Sequence, residues 1–314
     1  MMGELKVFAG QATESLTAEI CKQLGLSLGK REIIQFSNDN TFVKISENVR
    51  DCDVFVVQTS CPPVNHNLME LLVMLDALRR ASARRITAVL PLYPYARSDK
   101  KDQPRVPITA RLVADLLTTA GADRVVAIDL HSSQIQGFFT IPLDHLTAAD
   151  MLCSYFHNKG IEDLTVVATD AGGAKKASVY AKWLDAPLAI MDKRRSGNDD
   201  KAMVANFIGD VRGKNAVILD DEIDTAGTVK ETVKALRKAG AKDIYVGCTH
   251  AVFSGPAVER LEECNLKELV VTDTVPTTRA RNLSCLKVLS VAPMLAQAID
   301  RIHRGESVST LFRA

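Results

Sequence analysis

The sequence has no strong excess of charge of either sign and no long apolar run. Its 39 Lys and Arg residues face 38 Asp and Glu residues, so no overall field favours nucleic acid or an anionic membrane, and any basic site must be local. No stretch approaches the roughly 18 apolar residues that span a membrane, and Met1 to Gly10 lacks the apolar core of a signal peptide. We expect a cytoplasmic, soluble protein that binds neither nucleic acid nor membranes.

Cysteine and glycine motifs are also missing. The seven cysteines are odd in number, scattered and never spaced C-x-x-C, which argues against a disulfide framework and a zinc site. Neither G-x-G-x-x-G nor G-x-x-x-x-G-K-[ST] occurs, so no dinucleotide-binding or P-loop site is indicated. We expect reduced thiols, most of them buried.

The length and the apolar content instead favour two α/β domains. A chain of 314 residues with 46% hydrophobic residues can bury two cores. Strand-like runs alternate with helical patterns, which predicts a largely parallel sheet. The predicted strands of the first half are Leu5–Ala9, Val54–Gln58, Ile86–Pro91 and Val125–Asp129, and its predicted helices are Leu16–Leu24, Asn67–Ala81 and Ile108–Ala120.

An internal repeat supports two related domains. Ala120-Gly121-Ala122, a strand and His131 recur at a constant offset as Ala239-Gly240-Ala241, a strand and His250. The chain is therefore interpreted as a duplicated domain. Each copy has a loop before the repeated helix, and this loop is longer and more basic in the first copy.

In the second copy this loop carries several kinds of chemistry within a few residues. An apolar strand ending at Leu219 leads into Asp220 and Asp221, and small and hydroxyl residues then precede a helix that begins near Thr228. Backbone N–H groups at such a loop and helix N-terminus form an anion site. The two acids, which alternate in direction at the strand end, would repel a phosphate and are better suited to accept hydrogen bonds from sugar hydroxyls.

Other readings of these residues remain open. The acidic stretch could be a solvated turn that caps the helix through Asp224 or Thr225, and Asp170, before a Gly pair, could be an ordinary helix cap. The basic loop Tyr93–Arg105 could bind a polyphosphate or simply be solvated. A second group of basic side chains follows the predicted strand at Ile190–Met191. It could close over phosphate groups while they are transferred.

The motifs resemble those of a known family. The stretch Val217–Thr228 is similar to the phosphoribosyl pyrophosphate (PRPP) binding motif of type I phosphoribosyltransferases and PRPP synthetases. The stretches YAR-x-DKKD with R-x-P-I-T-A-R, DLH-x-S-Q-I-Q-G-F-F, DAGG and K-x-R resemble PRPP synthetases of the phosphate-activated type. The resemblance runs from Phe8 to Phe312.

The resemblance implies a fold and a division of the chain. It implies two tandem type I phosphoribosyltransferase-like domains, each with a mainly parallel sheet flanked by helices. We expect residues 1–146, joined by 303–314, to form the ATP-side domain. Residues 147–302 are expected to form the domain with the ribose 5-phosphate site and the catalytic loop.

The resemblance also implies the activity and its residues. MgATP would transfer its β,γ-pyrophosphoryl group to ribose 5-phosphate, giving PRPP and AMP for nucleotide biosynthesis. The implied catalytic residues are Lys193 and Arg195, and the implied Mg²⁺ contacts are His131 and Asp170. The implied ATP contacts are Phe36, Asn38, Asp39, Asn40, Arg97, Ser98, Asp102 and His131. The implied ribose 5-phosphate contacts are Asp170, Arg195, Asp220, Asp221, Asp224, Thr225, Ala226, Gly227 and Thr228.

Regulation and assembly follow from the same resemblance. The implied activator is inorganic phosphate, the implied assembly is a homohexamer, and the implied regulatory residues are Arg50, Ser132, Ser307 and Ser309. Asn40 stands where the family usually has Glu, and Ser98 where it often has Gln. Two alternatives share the motif: a phosphoribosyltransferase that consumes PRPP, and a non-catalytic regulatory subunit of a PRPP synthetase assembly.

Overall fold

The structure, a computed structural model, describes residues 3–194 and 204–311. The strands are β1 Leu5–Ala9, β2 Arg31–Gln35, β3 Thr41–Ile45, β4 Asp53–Val57, β5 Arg85–Leu90, β6 Arg124–Ile128, β7 Leu143–Leu146, β8 Leu164–Ala168, β9 Leu188–Arg194, β10 Val204–Ile208, β11 Asn215–Ile223, β12 Ile244–Ala251, β13 Glu268–Thr272 and β14 Leu286–Leu289. The α-helices are α1 Glu14–Leu24, α2 Val64–Arg80, α3 Thr109–Ala120, α4 Ala149–Asn158, α5 Ala174–Trp183, α6 Gly227–Ala239, α7 Ala257–Glu263 and α8 Ala292–Arg304.

The chain forms two compact units, as an α/β sequence with two cores should. The first comprises Met1–Thr147, Thr274–Pro276 and Ser290–Ala314, and the second comprises Ala148–Asp273 and Thr277–Leu289. Each has its own sheet, which is mainly parallel, so the predicted α/β class is confirmed. Within the described residues, no helix is both long and apolar enough to cross a membrane.

The sheet of the first unit is parallel throughout and has the order β1-β4-β5-β6-β7. All five residues of β4 are buried, as expected for a strand covered on both faces. Apolar residues of α2 and α3, including Leu71, Leu75 and Val113, join the strands in one core. The hairpin β2–β3 forms a separate antiparallel pair.

The sheet of the second unit reverses its direction of growth. Its order is β10-β9-β8-β11-β12-β13-β14, with only the β9–β10 pair antiparallel among these strands. The chain passes from β8 to β9 on one side, and β11 then returns to the other side of β8. The gap between β8 and β11 is therefore a topological switch point, where α/β sheets bind ligands at the carboxyl ends of their strands.

The repeat found in the sequence coincides with repeated elements. Helix α3 ends at Ala120 and is capped by Gly121 at φ 122°, and α6 ends at Ala239 and is capped by Gly240 at φ 87°. A positive φ at the residue after a helix is readily adopted by glycine. The two helices therefore stop at equivalent positions for the same conformational reason.

The division between the units differs from the predicted one at the C-terminal helix. The prediction assigned residues up to 302 to the second domain, but α8 belongs to the first unit. Its residues Leu295 and Ile299 are buried, and the helix packs against α1. The end of α8 is also bonded to the sheet, because the Arg85 Nη2 group donates to the Ile302 carbonyl at 2.9 Å.

Asp53, at the start of β4, organises this attachment. Its buried carboxylate accepts two hydrogen bonds from Arg85, at 2.8 and 2.6 Å, and lies 2.8 Å from His303 Nδ1. A bidentate Arg–carboxylate pair fixes both direction and distance. The C-terminal end of α8 is thus tied to the amino ends of β4 and β5.

We predict that Asp53→Ala destabilises the protein by about 3 kcal/mol, because removing one partner of a buried ion pair leaves the other without compensation. The measurement is the midpoint of urea unfolding. Asp76→Ala is the matched control, because Asp76 forms an exposed pair with Arg80 at 2.6 Å and should cost less than about 1 kcal/mol. Equal shifts for the two variants would contradict the role of Asp53.

Candidate functional site

The acidic pair lies inside a strand rather than beyond its end. We predicted that the strand would stop at Leu219, whereas β11 continues to Ile223. The reason is its partner: β11 pairs with β12 as far as Ile223 and Ala251, but its pairing with β8 stops at Ile218 and Val167. Residues 219–223 are therefore bonded to a neighbour on one side only, and the other side faces the switch point.

Asp220 is half-buried in this crevice and holds its proton unusually tightly. Its pKa is raised to about 7, first by the loss of water around the carboxyl group and then by the neighbouring charge of Asp221, while the Asp221 N–H and Lys176 oppose the shift. Two close carboxylates cannot easily both ionise. Near neutral pH the pair therefore carries less than its full negative charge.

Lys176 was not singled out from the sequence and lies at this site. Its Nζ is 3.5 Å from Asp221 Oδ1. Lys176 is near the start of α5, the helix that follows β8, so the contact crosses the switch point between the two motifs. The sequence offered only a weak signal, a Lys pair after the Gly-Gly step.

The loop between β11 and α6 has the geometry of an anion site. Ala226 adopts a left-handed conformation, φ 57° and ψ 16°, directly before α6 begins at Gly227. The first N–H groups of a helix have no intrahelical partner, and Thr225 and Thr228 are exposed on either side of this turn. The residue at the N-cap position is Ala226, which has no side-chain oxygen, so the helix start is not closed by its own cap residue.

Asp170 follows β8 at the other side of the crevice. Its Oδ1 accepts the Gly173 N–H at 2.8 Å, so one oxygen does act as a cap near the start of α5. The residue is otherwise exposed. Mg²⁺ typically uses one or two protein carboxylates and takes its remaining ligands from water and substrate phosphates, so an exposed carboxylate at this position fits that ion.

The predicted catalytic residues lie at the edge of the described structure. The backbone of Lys193 is in β9, paired with Ala205 of β10. Its side chain and the whole of Arg195 lie outside the described residues. Their roles therefore stay predictions.

In the first unit, the predicted adenine-contacting residues occupy the tip of the β2–β3 hairpin. Phe36 is 50% exposed and lies 5.9 Å from Phe42 between ring centroids. Asp39 has a left-handed φ of 68° and accepts a hydrogen bond from Gln35. Asn38 and Asn40 are exposed at the same turn, so the tip presents an aromatic face beside polar groups.

The basic loop follows β5, at the carboxyl edge of the sheet. Arg97 and Asp102 are exposed and Ser98 is half-buried. The Ser98 carbonyl accepts the Ala110 N–H at 3.2 Å, which ties the loop to the start of α3. Tyr95 has a φ of 57° at the sharpest point of the turn.

His131 lies just beyond β6 at the same edge and is exposed. The preceding residues are held firmly: the Asp129 carboxylate accepts the Thr147 hydroxyl at 2.6 Å, and the Leu130 N–H donates to His145 Nε2 at 2.9 Å. His145 thus positions the backbone next to His131. It must be unprotonated at Nε2 to accept this bond.

The predicted regulatory residues all belong to the first unit. Ser307 and Ser309 are exposed after α8, with their hydroxyl oxygens 2.7 Å apart. Ser132 donates to Gln134, and the Arg50 N–H donates to Asn48 Oδ1 at 3.1 Å.

Within the described part of the chain, no group of three or more His, Cys, Asp or Glu side chains is placed to hold a metal ion on its own.

The chain matches two known families. Residues 5–121 match the N-terminal domain of ribose phosphate pyrophosphokinase, and residues 198–313 match the phosphoribosyl synthetase-associated domain.

Similar proteins extend over nearly the whole chain. The ribose-phosphate pyrophosphokinase of Caldanaerobacter subterraneus is 52% identical over 98% of both chains. Ribose-phosphate pyrophosphokinase 1, chloroplastic, of Arabidopsis thaliana is 51% identical over 98% of this chain and 77% of that protein. The crystal structure of phosphoribosylpyrophosphate synthetase from Mycobacterium smegmatis has a TM-score of 0.90 and 45% identity, covering 96% of this chain and 99% of that one.

These similarities confirm the predicted fold of two tandem phosphoribosyltransferase-like domains and the predicted family. They also decide between the alternatives, because the matched family is neither a PRPP-consuming transferase nor defined as a regulatory subunit. The chain is an enzyme of the ribose-phosphate pyrophosphokinase family.

Proposed function

We propose that this chain transfers the β,γ-pyrophosphoryl group of MgATP to the 1-hydroxyl of ribose 5-phosphate, giving PRPP and AMP. The observation that carries the proposal is the crevice beside β11. There a strand edge bearing Asp220 and Asp221 leads directly into an anion-binding turn at Ala226. A sugar phosphate needs this combination of hydroxyl acceptors and phosphate donors within one site.

The loop 224–228 binds the 5-phosphate. Gly227 and Thr228 supply backbone N–H groups at the positive end of α6, and the Thr225 and Thr228 hydroxyls add donors. Asp220 and Asp221 accept hydrogen bonds from ribose hydroxyls, because a carboxylate offers only acceptors. Because the pKa of Asp220 is raised to about 7, the carboxyl group is partly protonated near neutral pH. The pair therefore carries less negative charge and repels the bound phosphates less.

The reaction requires little covalent chemistry from the protein. The ribose O1 attacks the β-phosphorus, the bond from the β-phosphorus to the oxygen it shares with the α-phosphorus breaks, AMP departs with that oxygen, and the proton of O1 is released. Mg²⁺, when bound, offsets the charge of the phosphate oxygens. Lys193 and Arg195 stabilise the charge that builds on the β-phosphate.

The ATP side belongs to the first unit. Phe36 stacks on the adenine, and Asn38, Asp39 and Asn40 surround it with polar groups. Arg97 binds phosphate oxygens through its planar fork of donors. The other residues proposed to contact ATP or its Mg²⁺ are Ser98, Asp102 and His131, with Asp170 as the second Mg²⁺ contact.

Assembly and regulation are parts of the same proposal. The resemblance supports a homohexamer and activation by inorganic phosphate, with Arg50, Ser132, Ser307 and Ser309 in the regulatory site. None of the seven cysteines forms a disulfide, and five of them are buried, which fits a reducing compartment such as the cytoplasm.

The direct test is phosphorus NMR of the purified protein with ribose 5-phosphate, MgATP and inorganic phosphate. We expect AMP and a sugar-linked pyrophosphate to appear together. Production of ADP in place of AMP, or turnover only when PRPP and a base are supplied, would overturn the proposal.

We predict that Lys193→Ala lowers kcat at least about a hundredfold and changes the affinity for ribose 5-phosphate little, because its charge is needed mainly in the transition state. The measurement is steady-state kinetics with both substrates varied. Lys242→Ala, which removes an exposed lysine of the second unit, is the control and should match the wild type. An unchanged kcat with weak ribose 5-phosphate binding would argue against this role.

We predict a pH-dependent stability difference for Asp220→Asn. Since the pKa of Asp220 is raised to about 7 in the folded chain, its favourable contribution is full below its unfolded pKa of about 3.9 and is lost as the pH rises towards 7. The Asn variant should therefore gain stability over the wild type between pH 5 and pH 8.5 in urea unfolding.

The control for this pH effect is Asp243→Asn, which removes a carboxylate 3.3 Å from Lys267 at the surface. The Asp243→Asn variant should not gain stability relative to the wild type as the pH rises. If the difference in the free energy of unfolding between the wild type and Asp220→Asn stays constant across this pH range, Asp220 titrates normally and the prediction is wrong.

A further inference from the structure

The segment that follows β12 is hydrogen-bonded to the end of β11 and to residues 224–228, which we call the phosphate loop. The Phe253 N–H donates to the Ile223 carbonyl at 3.1 Å, and the Ser254 N–H donates to the Asp224 carbonyl at 2.9 Å. Arg260, on α7, donates from Nη1 to the Thr225 carbonyl at 2.9 Å. Three successive carbonyls of the loop are therefore held by one neighbouring segment.

The third of these bonds differs from the other two in kind. It comes from a charged side chain 35 residues away in the sequence, so it can be removed without changing the backbone. A charge-assisted hydrogen bond is also stronger than one between neutral groups. Arg260 thus fixes the carbonyl that immediately precedes the left-handed turn at Ala226.

The guanidinium also lies close to the first residue of α6. A Cβ atom added at Gly227 would be 3.5 Å from Arg260 Nη1 and 3.8 Å from Thr225 Oγ1. The guanidinium and the hydroxyl therefore flank the same point beside the first residue of α6. Arg260 is half-buried there, which weakens the screening of its charge by water.

The charge of Arg260 matters because the preceding strand residues are acidic. Asp220, Asp221 and Glu222 precede the phosphate loop and Asp224 begins it, and these acids would repel a dianionic ligand. The N-terminal end of α6 supplies only about half an elementary charge. A fixed guanidinium adds a full one.

We propose that Arg260 is a positioning residue of the phosphate subsite, which holds Thr225 in the binding conformation and supplies the cation for the 5-phosphate of the sugar. This inference rests on the proposed function, because it assigns the phosphate of ribose 5-phosphate to the loop. The 5-phosphate does not react, so its contacts stabilise the ground state and the transition state equally. Their loss therefore raises KM and leaves kcat unchanged.

The test compares Arg260→Met with Arg260→Lys. We expect the Met variant to raise the KM for ribose 5-phosphate about tenfold to a hundredfold, the range for loss of a charge-assisted hydrogen bond. Its kcat and its KM for ATP should stay within about twofold of the wild type. The Lys variant keeps the charge but loses the planar, two-donor geometry of the guanidinium. Its KM for ribose 5-phosphate should lie between those of the wild type and the Met variant.

The matched control is Lys230→Met. Lys230 lies in the first part of α6 and its ion-pair partner is Glu263 on α7, so this change also removes one cation and one α6–α7 contact. It should leave the KM for ribose 5-phosphate within about twofold of the wild type. An equal rise in both Met variants would mean that net charge alone acts, and the specific role of Arg260 would be refuted.

Calorimetric titration of ribose 5-phosphate without ATP separates this inference from the proposed reaction. If the wild type makes no PRPP, the reaction proposal fails, and weaker binding by Arg260→Met than by Lys230→Met still supports the subsite. If the wild type makes PRPP and Arg260→Met binds ribose 5-phosphate as tightly as the wild type, the inference alone is wrong. A loss of kcat that Lys does not rescue, with a lowered melting temperature, would indicate a purely structural role.

Discussion

The unequal pairing of β11 with its two neighbours is the constraint on which the site depends. Hydrogen bonds to β12 keep the strand extended as far as Ile223, whereas β8 ends beside Ile218. The exposed edge that results is polar because the residues there are acids, and it is rigid because the other edge remains in the sheet. A loop alone would not hold two carboxylates and an anion-binding turn in a fixed relation.

The charges around this edge oppose one another within a few residues. Asp220 is half-buried beside Asp221, and its pKa is raised, while Lys176 approaches Asp221 and Arg260 holds the turn beyond it. Acidic groups suit the hydroxyls of a sugar, and cationic groups suit its phosphate. The site therefore separates the two kinds of ligand group along a single strand and loop.

The first unit shows a different use of charge. Asp53 fixes Arg85 and His303 and so attaches the last helix to the sheet. The segment with Ser307 and Ser309 follows directly after this helix, so its starting point is defined by the sheet rather than by the local chain. At the opposite edge, Thr147 and His145 hold the residues next to His131, so this histidine extends from a supported backbone.

Much of this was determined by the sequence itself. The alternation of apolar runs set strands such as β1 at its predicted limits, Leu5–Ala9. The repeated Ala-Gly-Ala step marked the ends of α3 and α6, and the acidic motif predicted an anion-binding loop. These features depend on neighbouring residues in the chain. Only the tertiary structure decided that β11 extends past Leu219, that α8 joins the first unit, and that Lys176 and Arg260 reach the site. Each depends on a partner tens to hundreds of residues away, and hydrophobic periodicity and local motifs carry no information about which distant strand or side chain completes a hydrogen bond.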